Sequence, residues 1–295
     1  MGYNFKMMQE ISVKAFAKVN FGLAVLPKRD DGFHCIESIF QTVDLSDELV
    51  IKRSSKKGCF VSCDSMELPA ENTITNAYKA LGEILDSELF GVEVYIKKGI
   101  PSGGGLGGGS SDAAAFIRGM EQLGDFRLSD EKKDYIAGKT GSDVFFFMHC
   151  DDNGSGCALV SGRGEVVKKI QPRNDLWVVM IFPGVHSSTK EAYSLVDDAF
   201  EKGRNIKCPA FSDYEFIYNK SIQEWTFCNT FTPVISERYE KIRNAIGALK
   251  KTNCCYAEMS GSGATVFGVF TSKQQADFAY NSLAKTWCCK LVSTI

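Results

Sequence analysis

Residues 101–114 read PSGGGLGGGSSDAA, with six glycines among seven consecutive positions. Glycine has no side chain, so such a segment can adopt left-handed backbone conformations and lets a ligand approach the main chain closely. Before it, apolar residues alternate from Val92 to Ile96, as in a strand. After it, Ser110–Asp112 are good capping residues for a helix over Ala113–Leu123. The sequence therefore predicts a strand, a glycine-rich loop and a helix in succession.

This arrangement predicts a phosphate-binding site. The N-terminus of a helix carries unpaired N–H groups and the positive end of the helix dipole, both of which favour an anion. The spacing G-x-G-x-x-G alone is a weak signal, but the chain lacks the H-R-D and D-F-G of protein kinases and the lysine that closes a Walker A loop. We expect the phosphate groups of a ligand to contact Pro101, Gly103, Gly104, Gly105, Leu106, Gly107, Gly108, Gly109, Ser110 and Ser111.

A further strand is predicted well before the loop. Apolar and other residues alternate from Ile11 to Val19, as in a strand with one buried face. On this pattern Lys18 lies on the face away from the apolar row. A turn-forming segment follows at Pro27–Gly32 and displays His34 just beyond it.

The residues after the loop predict a second domain. A polar segment near residue 170 precedes a short apolar strand at Leu176–Phe182. The later pattern predicts a helix, a turn and a strand, at Glu237–Leu249, Ser260–Gly263 and Thr265–Phe270. We therefore expect an α+β protein of two domains, residues 1–170 and 171–295, with helices packed on mostly antiparallel sheet.

The composition excludes several classes of protein. Lysine and arginine number 34 against 36 aspartate and glutamate, so a net charge of −2 gives no basic field for nucleic acid. The apolar run Leu176–Phe182 is too short to cross a membrane. Three widely separated histidines argue against structural zinc. Eleven cysteines, an odd count with two adjacent pairs, suit no disulfide framework, so we expect a reduced, cytoplasmic protein.

The glycine-rich segment resembles the ATP loop of the GHMP kinases. Its extra glycines are similar to the branch of that family that phosphorylates cytidine-diphosphate-linked methylerythritol. Other segments resemble the family in the same order, at residues 17–21 with 31–34, 140–144 and 259–264. These segments span nearly the whole chain. Two departures are Val144-Phe145, where the family commonly has Val-Pro, and residues 196–232, which match it poorly.

The resemblance implies a fold and a set of catalytic residues. The N-terminal lobe would be like domain 2 of ribosomal protein S5, the C-terminal lobe would be ferredoxin-like, and ATP would lie on the glycine loop. Asp143 would be the catalytic carboxylate, with Lys18 as its partner and Asn20 near the reacting phosphate. Ser110 and Ser111 would contact the phosphates, and Ser111 would also contact Mg²⁺. A carboxylate, an ammonium and a divalent ion suffice for phosphoryl transfer.

The same resemblance implies a site for a cytidine-containing substrate. His34 and Lys98 match positions that read the edge of the cytosine. Phe33 and Tyr193 match two aromatic residues that enclose the base. The family more usually has tyrosine at the first of these, so Phe33 keeps the stacking face and loses the hydroxyl. From the residues alone, core packing is the simpler explanation for both rings.

Three alternatives remain open at this point. Another GHMP activity, such as homoserine or mevalonate kinase, would share the loop and the turn at residues 260–264, but the segment Asp31–His34 argues against it. A regulator that binds nucleotide without turnover would predict loss of Asp143 or Lys18, and both are present. A nucleic-acid module is disfavoured by the charge. For the oligomeric state we expect a monomer or a weak homodimer.

Overall fold

The computed structural model describes residues 8–85 and 89–295. In chain order its strands and helices are β1 (Glu10–Lys28), β2 (His34–Ser54), β3 (Cys59–Cys63), α1 (Thr73–Ile84), β4 (Gly91–Lys97), α2 (Gly108–Gly124), α3 (Asp130–Thr140), α4 (Ser142–Met148), β5 (Cys157–Ser161), β6 (Val166–Lys169), β7 (Trp177–Phe182), α5 (Thr189–Glu201), α6 (Tyr214–Tyr218), α7 (Phe231–Arg238), α8 (Glu240–Lys250), β8 (Tyr256–Met259), β9 (Val266–Phe270), α9 (Lys273–Leu283) and β10 (Cys288–Ser293). Short 3-10 helices lie at Phe211–Asp213 and Ile222–Glu224. Within the described part of the chain, no helix has the length and apolar character needed to traverse a lipid bilayer.

The chain forms two compact units. Unit 1 contains the residues up to Phe16, Ser46–Ile100 and Gly108–Gly154. Unit 2 contains Ala17–Leu45, Pro101–Gly107 and Ser155–Ile295. Strands β1 and β2 each run from one unit into the other, so the units are discontinuous in sequence. The domain division that we predict after residue 170 stays a prediction.

Unit 1 packs helices on a small sheet. Strand β4 pairs antiparallel with β2 and parallel with β3. Val92, Val94 and Ile96 are buried while Glu93 and Tyr95 are exposed, which confirms the predicted alternation. Helix α2 packs against α1 and α4, and its apolar residues from Ala113 to Ile117 are buried.

The predicted helix after the glycines begins earlier than expected. Helix α2 starts at Gly108, whereas the capping residues suggest a start at Ala113. Glycine is a poor helix former, so the pattern gives no reason to place Gly108 and Gly109 in a helix. Their backbone nevertheless follows directly on Gly107, which has a φ of 72° and belongs to the loop. As a result, Ser110 and Ser111 lie in the first turn of the helix and not before it.

Unit 2 contains the ferredoxin-like arrangement that the resemblance implies. Strands β7 to β10 form an antiparallel sheet in the order β10-β7-β9-β8. Helix α8 packs on β8 and β9, and α9 packs on β7 and β10. The chain order of these elements is βαββαβ, which is the ferredoxin-like motif. In the rest of unit 2, β2 pairs antiparallel with β5, and β5 with β6.

The helix that we predict over Glu237–Leu249 is interrupted. Helix α7 ends at Arg238 and α8 begins at Glu240, because Tyr239 between them has an extended backbone. The hydroxyl of Tyr239 donates a hydrogen bond to Glu191 Oε2 at 2.7 Å. This contact with α5 is long-range, so the local pattern does not reveal the break.

The expectation of reduced cysteines is wrong for one pair. Cys208 and Cys228 are joined by a disulfide within unit 2, with their Cα atoms 5.9 Å apart. These two residues are 20 positions apart and belong to neither of the adjacent cysteine pairs. Their contact depends on how residues 202–230 fold back on themselves, which the spacing of cysteines does not show.

Candidate functional site

The glycine loop has the backbone that its sequence predicts. Gly103, Gly105 and Gly107 have φ angles of 68°, 74° and 72°. Residues with a side chain rarely adopt this left-handed conformation. The loop leads directly into α2, whose first-turn N–H groups have no partner within the helix and favour an anion. The loop and the helix start thus have the features of a phosphate site.

Within unit 2 the loop packs on the turn Ser260–Gly263. The hydroxyl of Ser260 donates to the carbonyl oxygen of Gly105 at 2.9 Å, and the N–H of Thr265 donates to that of Gly104 at 3.2 Å. A Cβ at Gly105 would lie 2.1 Å from the carbonyl oxygen of Ser260. The turn Ser260–Gly263 therefore supports the glycine loop. The sequence indicates both the turn and the loop but not the contact between them.

The structure brings Lys18 and Asn20 to this loop. The N–H of Lys18 donates to the carbonyl oxygen of Leu106 at 3.0 Å. Its ammonium donates to Asn20 Oδ1 at 2.8 Å, and the same oxygen accepts from the N–H of Gly261 at 2.9 Å. Asn20 Nδ2 donates to Ser38 Oγ at 3.0 Å, a contact that the sequence does not suggest. Loop, turn and strand β1 thus form one connected site.

Lys18 is more deeply buried than its strand pattern predicts. The alternation from Ile11 to Val19 suggests one exposed face, but Lys18 is only 3% exposed and its neighbours Ala17 and Val19 are fully buried. The ammonium lies 4.5 Å from the centre of the Phe40 ring. A buried ammonium interacts more strongly with a phosphate than an exposed one does, because the surroundings screen its charge less.

Asp143 lies in unit 1, in the first turn of α4 and two residues after Gly141. Its side chain is half-buried. Lys18 belongs to unit 2, so the predicted partnership between Asp143 and Lys18 stays a prediction.

Lys98 lies in a cluster with two buried carboxylates of unit 1. Its ammonium is 2.5 Å from Asp47 Oδ2 and 3.1 Å from Asp112 Oδ2. Asp47 is fully buried and Asp112 is 4% exposed. Burial raises the pKa of Asp112 to about 7, and the negative charge of Asp47 adds to the rise while Lys98 opposes it. The sequence suggests Lys98 as a site residue but suggests neither carboxylate.

The raised pKa of Asp112 predicts a pH dependence of stability. Between about pH 4 and 7 the folded protein holds a proton that the unfolded chain has released, so the stability from this group is lost as the pH rises through about 7. Asp112→Asn removes the titration. The wild type should therefore lose more stability than the variant as the pH rises from about 5 to 8. We expect the Tm of the variant minus the Tm of the wild type to increase over this range, in thermal unfolding without added metal. A Tm difference that is constant over this range would contradict the prediction.

The residues predicted to surround a base are partly brought together. Within unit 2 the His34 ring stacks on Tyr193 with centroids 5.1 Å apart, and Tyr193 meets Phe231 edge-on at 5.0 Å. His34 Nδ1 lies 2.7 Å from the carbonyl oxygen of Leu26, and Nε2 lies 3.1 Å from Asp197 Oδ1. Asp197 is four residues after Tyr193 on α5, so the two side chains lie on the same helix face. His34 stacks on one of them and lies within hydrogen-bond distance of the other. No sequence motif indicates Asp197.

Phe33 has a different neighbour. Its side chain is about half exposed, and the guanidinium of Arg163 lies 3.7 Å from its ring centre. Such a stacked cation is a favourable contact for an aromatic face. Phe33 and Tyr193 thus each have one face in contact with a cation or another ring. Lys98 belongs to unit 1, so its predicted place beside them stays a prediction.

Metal ligands are sparse in the described residues. No group of three or more His, Cys, Asp or Glu side chains there is placed to hold a metal ion. Ser111 Oγ and Asp112 Oδ1 are buried and have no hydrogen-bond partner among the described residues. Buried polar atoms normally have a partner, so these two mark a place where a ligand or ion would be accommodated.

Comparison with known proteins extends over nearly the whole chain. The GHMP kinases N terminal domain matches residues 72–151, and the GHMP kinases C terminal domain matches residues 219–287. The 4-diphosphocytidyl-2-C-methyl-D-erythritol kinase of Treponema pallidum (strain Nichols) is 35% identical over 288 residues, which cover 95% of this chain and 97% of that protein.

Two solved structures show the same fold. A crystal structure of 4-(cytidine 5'-diphospho)-2C-methyl-D-erythritol kinase superposes with a TM-score of 0.77 at 26% identity, covering 96% of this chain and 99% of the other. A homoserine kinase from Cytophaga hutchinsonii superposes with a TM-score of 0.72 at 22% identity, covering 100% and 98%. The second likeness concerns the fold alone.

Proposed function

This chain belongs to the GHMP kinase family, and from that premise we propose that it is a 4-diphosphocytidyl-2-C-methyl-D-erythritol kinase. In the reaction, the 2-hydroxyl of 4-(cytidine 5'-diphospho)-2-C-methyl-D-erythritol attacks the γ-phosphorus of ATP. The new O–P bond forms as the bond from that phosphorus to the β,γ-bridging oxygen breaks, and ADP leaves. The product belongs to the methylerythritol phosphate route to isoprenoid precursors.

One observation carries this proposal: 35% identity to a kinase of this name over 95% of the chain. The site adds physical support. A loop with three left-handed glycines leads into a helix N-terminus. Lys18 donates its backbone N–H to Leu106 of this loop, and its buried ammonium donates to Asn20. Positive groups held rigidly around a phosphate are the main source of catalysis in phosphoryl transfer.

Asp143 is our candidate for the group that receives or orients the proton of the attacking hydroxyl. Its carboxylate accepts a hydrogen bond from that hydroxyl, which leaves an oxygen lone pair directed at phosphorus. Lys18 offsets the negative charge that develops on the transferred phosphate. Asn20 fixes the direction of the Lys18 ammonium through their 2.8 Å hydrogen bond. These roles are proposals for the residues that the family resemblance indicates.

Mg²⁺ is the metal ion that we propose for the site. The buried hydroxyl of Ser111, which has no partner among the described residues, fits an oxygen ligand for this ion. A protein usually supplies only one or two ligands to Mg²⁺ at a phosphate site, since phosphate oxygens and water complete the shell. When bound, the ion would supply further neutralisation of phosphate charge.

The cytosine site that we propose contains Phe33, His34 and Tyr193. Stacking on an aromatic ring contributes about 1 to 3 kcal/mol per base. We therefore expect Tyr193→Ala to raise the KM for the cytidine substrate by about tenfold or more while the KM for ATP stays unchanged. As a control, Phe278→Ala removes a 78% exposed ring from α9 of the same unit and should change neither constant. Equal acceptor KM values for Tyr193→Ala and wild type would rule out stacking.

The function is tested by offering the wild-type protein ATP, Mg²⁺ and a set of alcohols. We expect phosphorylation of the cytidine-diphosphate-linked methylerythritol, and none of free methylerythritol phosphate, homoserine or mevalonate. The product is identified by mass spectrometry and ³¹P NMR. If homoserine or mevalonate is the better acceptor, the cytidine assignment is wrong and the protein is another GHMP kinase.

A further inference from the structure

We propose that the buried carboxylate of Asp47 positions the glycine loop for ATP, through a clasp formed by Asp47, Lys98 and Asp112. The inference rests on the proposed nucleotide site. It gives Lys98 a different role from reading the cytosine edge. All three residues belong to unit 1, and two of them flank the loop in the chain.

The register of two strands places Asp47 at the end of β4, from which the chain continues into the glycine loop. Strands β2 and β4 pair antiparallel, with Glu48 opposite Lys97. The next pair outward is Asp47 and Lys98, at the point where β4 ends and the chain turns toward the glycines. Asp47 is therefore held by the sheet at the exit of β4.

Asp47 binds three consecutive residues of that exit. Its Oδ1 accepts from the N–H of Gly99 at 2.7 Å and from the N–H of Ile100 at 2.8 Å, while its Oδ2 faces the Lys98 ammonium. A Cβ at Gly99 would lie 2.2 Å from the carbonyl oxygen of Ser46, so the two segments are in close contact. A fully buried carboxylate with these partners fixes the backbone path into the loop.

Lys98 links the end of β4 to α2, the helix that follows the loop. Its ammonium also binds Asp112 Oδ2 at 3.1 Å, in the first turns of α2. A Cβ at Gly108, the first residue of α2, would lie 3.6 Å from the Lys98 nitrogen. Asp47 thus fixes Lys98, and Lys98 sets the position of the helix start relative to the end of β4. These are the two ends between which the glycines must fit around phosphate.

The ammonium is poorly placed to recognise a substrate. The Lys98 side chain is only 13% exposed and has a carboxylate on two sides. Recognition of cytosine would need the ammonium to move away from this pair, and separation from the fully buried Asp47 carboxylate would leave an unpaired buried charge, which is costly. If Lys98 instead positions the loop, it keeps its contacts with Asp47 and Asp112.

The test is Asp47→Asn in the full-length protein. Asparagine keeps an oxygen for the two N–H groups but loses the charge that holds Lys98. We expect the Kd for ATP, measured by calorimetry, and the KM for ATP to rise about fivefold or more, with kcat at saturating ATP and the acceptor KM within about twofold of wild type. Lys98→Met should show the same pattern, and the double variant should be little worse than either single one.

Glu121→Gln is the matched control. Glu121 is also a buried carboxylate of α2, and its Oε1 accepts from the N–H of Leu128 at 2.8 Å, near the other end of the helix. We expect this variant to lower Tm without raising the KM for ATP. If Asp47→Asn lowers Tm in the same way and leaves the KM for ATP unchanged, Asp47 is merely structural and the proposal fails.

Lys98→Met separates the two roles of the lysine. A rise in the acceptor KM with an unchanged ATP KM would assign Lys98 to the substrate and overturn the clasp. If Asp47→Asn does not fold, Lys98→Met and the ATP Kd decide the question. If the wild type phosphorylates none of the alcohols, the proposed function fails while the ATP Kd values still test the clasp.

Discussion

Asp143→Asn is expected to lower kcat by about 10²- to 10⁴-fold while the affinity for ATP stays near that of the wild type. The amide has the shape of the carboxylate but cannot take a proton from the attacking hydroxyl. The loss should therefore fall on the chemical step and affect nucleotide binding little. Steady-state kinetics give kcat, and calorimetry with ATP gives the binding constant.

Asp130→Asn is a suitable control for this variant. Asp130 is an exposed aspartate in the first turn of α3, also within unit 1, so it reproduces the loss of one negative charge at a helix start. We expect kcat to stay within about twofold of the wild type. A wild-type kcat for Asp143→Asn would remove Asp143 from the mechanism. A loss of ATP affinity equal to the loss of kcat would make it a binding residue instead.

Gly105→Ala should disrupt the nucleotide site by a steric route. The added Cβ would lie 2.1 Å from the carbonyl oxygen of Ser260 and 3.0 Å from that of Gly263, which are backbone atoms that cannot rotate away. The loop must move off the turn or distort, and overpacking of this kind costs about 1 to 3 kcal/mol. We expect the KM for ATP to rise about tenfold or more, measured together with the Kd for ATP.

Gly184→Ala separates the clash from the backbone conformation. Gly184 has a φ of 67°, close to the 74° of Gly105, but a Cβ there would meet nothing within 4 Å. Both variants place alanine in the left-handed region and carry a similar conformational cost. We expect only Gly105→Ala to weaken ATP binding. Equal effects of the two substitutions on ATP affinity would show that the packing of loop on turn does not matter.

The fold is predicted well where local pattern and long-range packing agree. The strand at Gly91–Lys97 is confirmed, because its period-two alternation matches the burial of its side chains in the folded chain. The ferredoxin-like unit is also confirmed, but it is implied by the family resemblance and not by the local pattern. The start of α2 and the break at Tyr239 are not predicted. In both cases a contact or a backbone path set elsewhere overrides the helix propensity of the residues themselves.

The site is predicted less completely than the fold. Lys18, Asn20 and the glycine loop are joined by hydrogen bonds within one unit. The hydrogen bonds of Ser38 to Asn20 and of Ser260 to Gly105 depend on how the chain folds, so the sequence does not indicate them. Asp47 lies 51 residues before Lys98 and meets it through strand register. A one-residue change in register would place other residues there, so no local motif carries this information.

Unit 2 combines segments from the beginning and the end of the chain, which affects how the protein folds during synthesis. The segment Ala17–Leu45 is made early, yet it bonds to residues made much later: Leu23 and Val25 to residues 228–230, and Val43 to Thr294. At roughly 5 to 20 residues per second, this segment waits on the order of 10 to 50 s for those partners. Until then its strand-forming apolar side chains remain unpaired with them, which makes the nascent segment a target for chaperones and a starting point for aggregation.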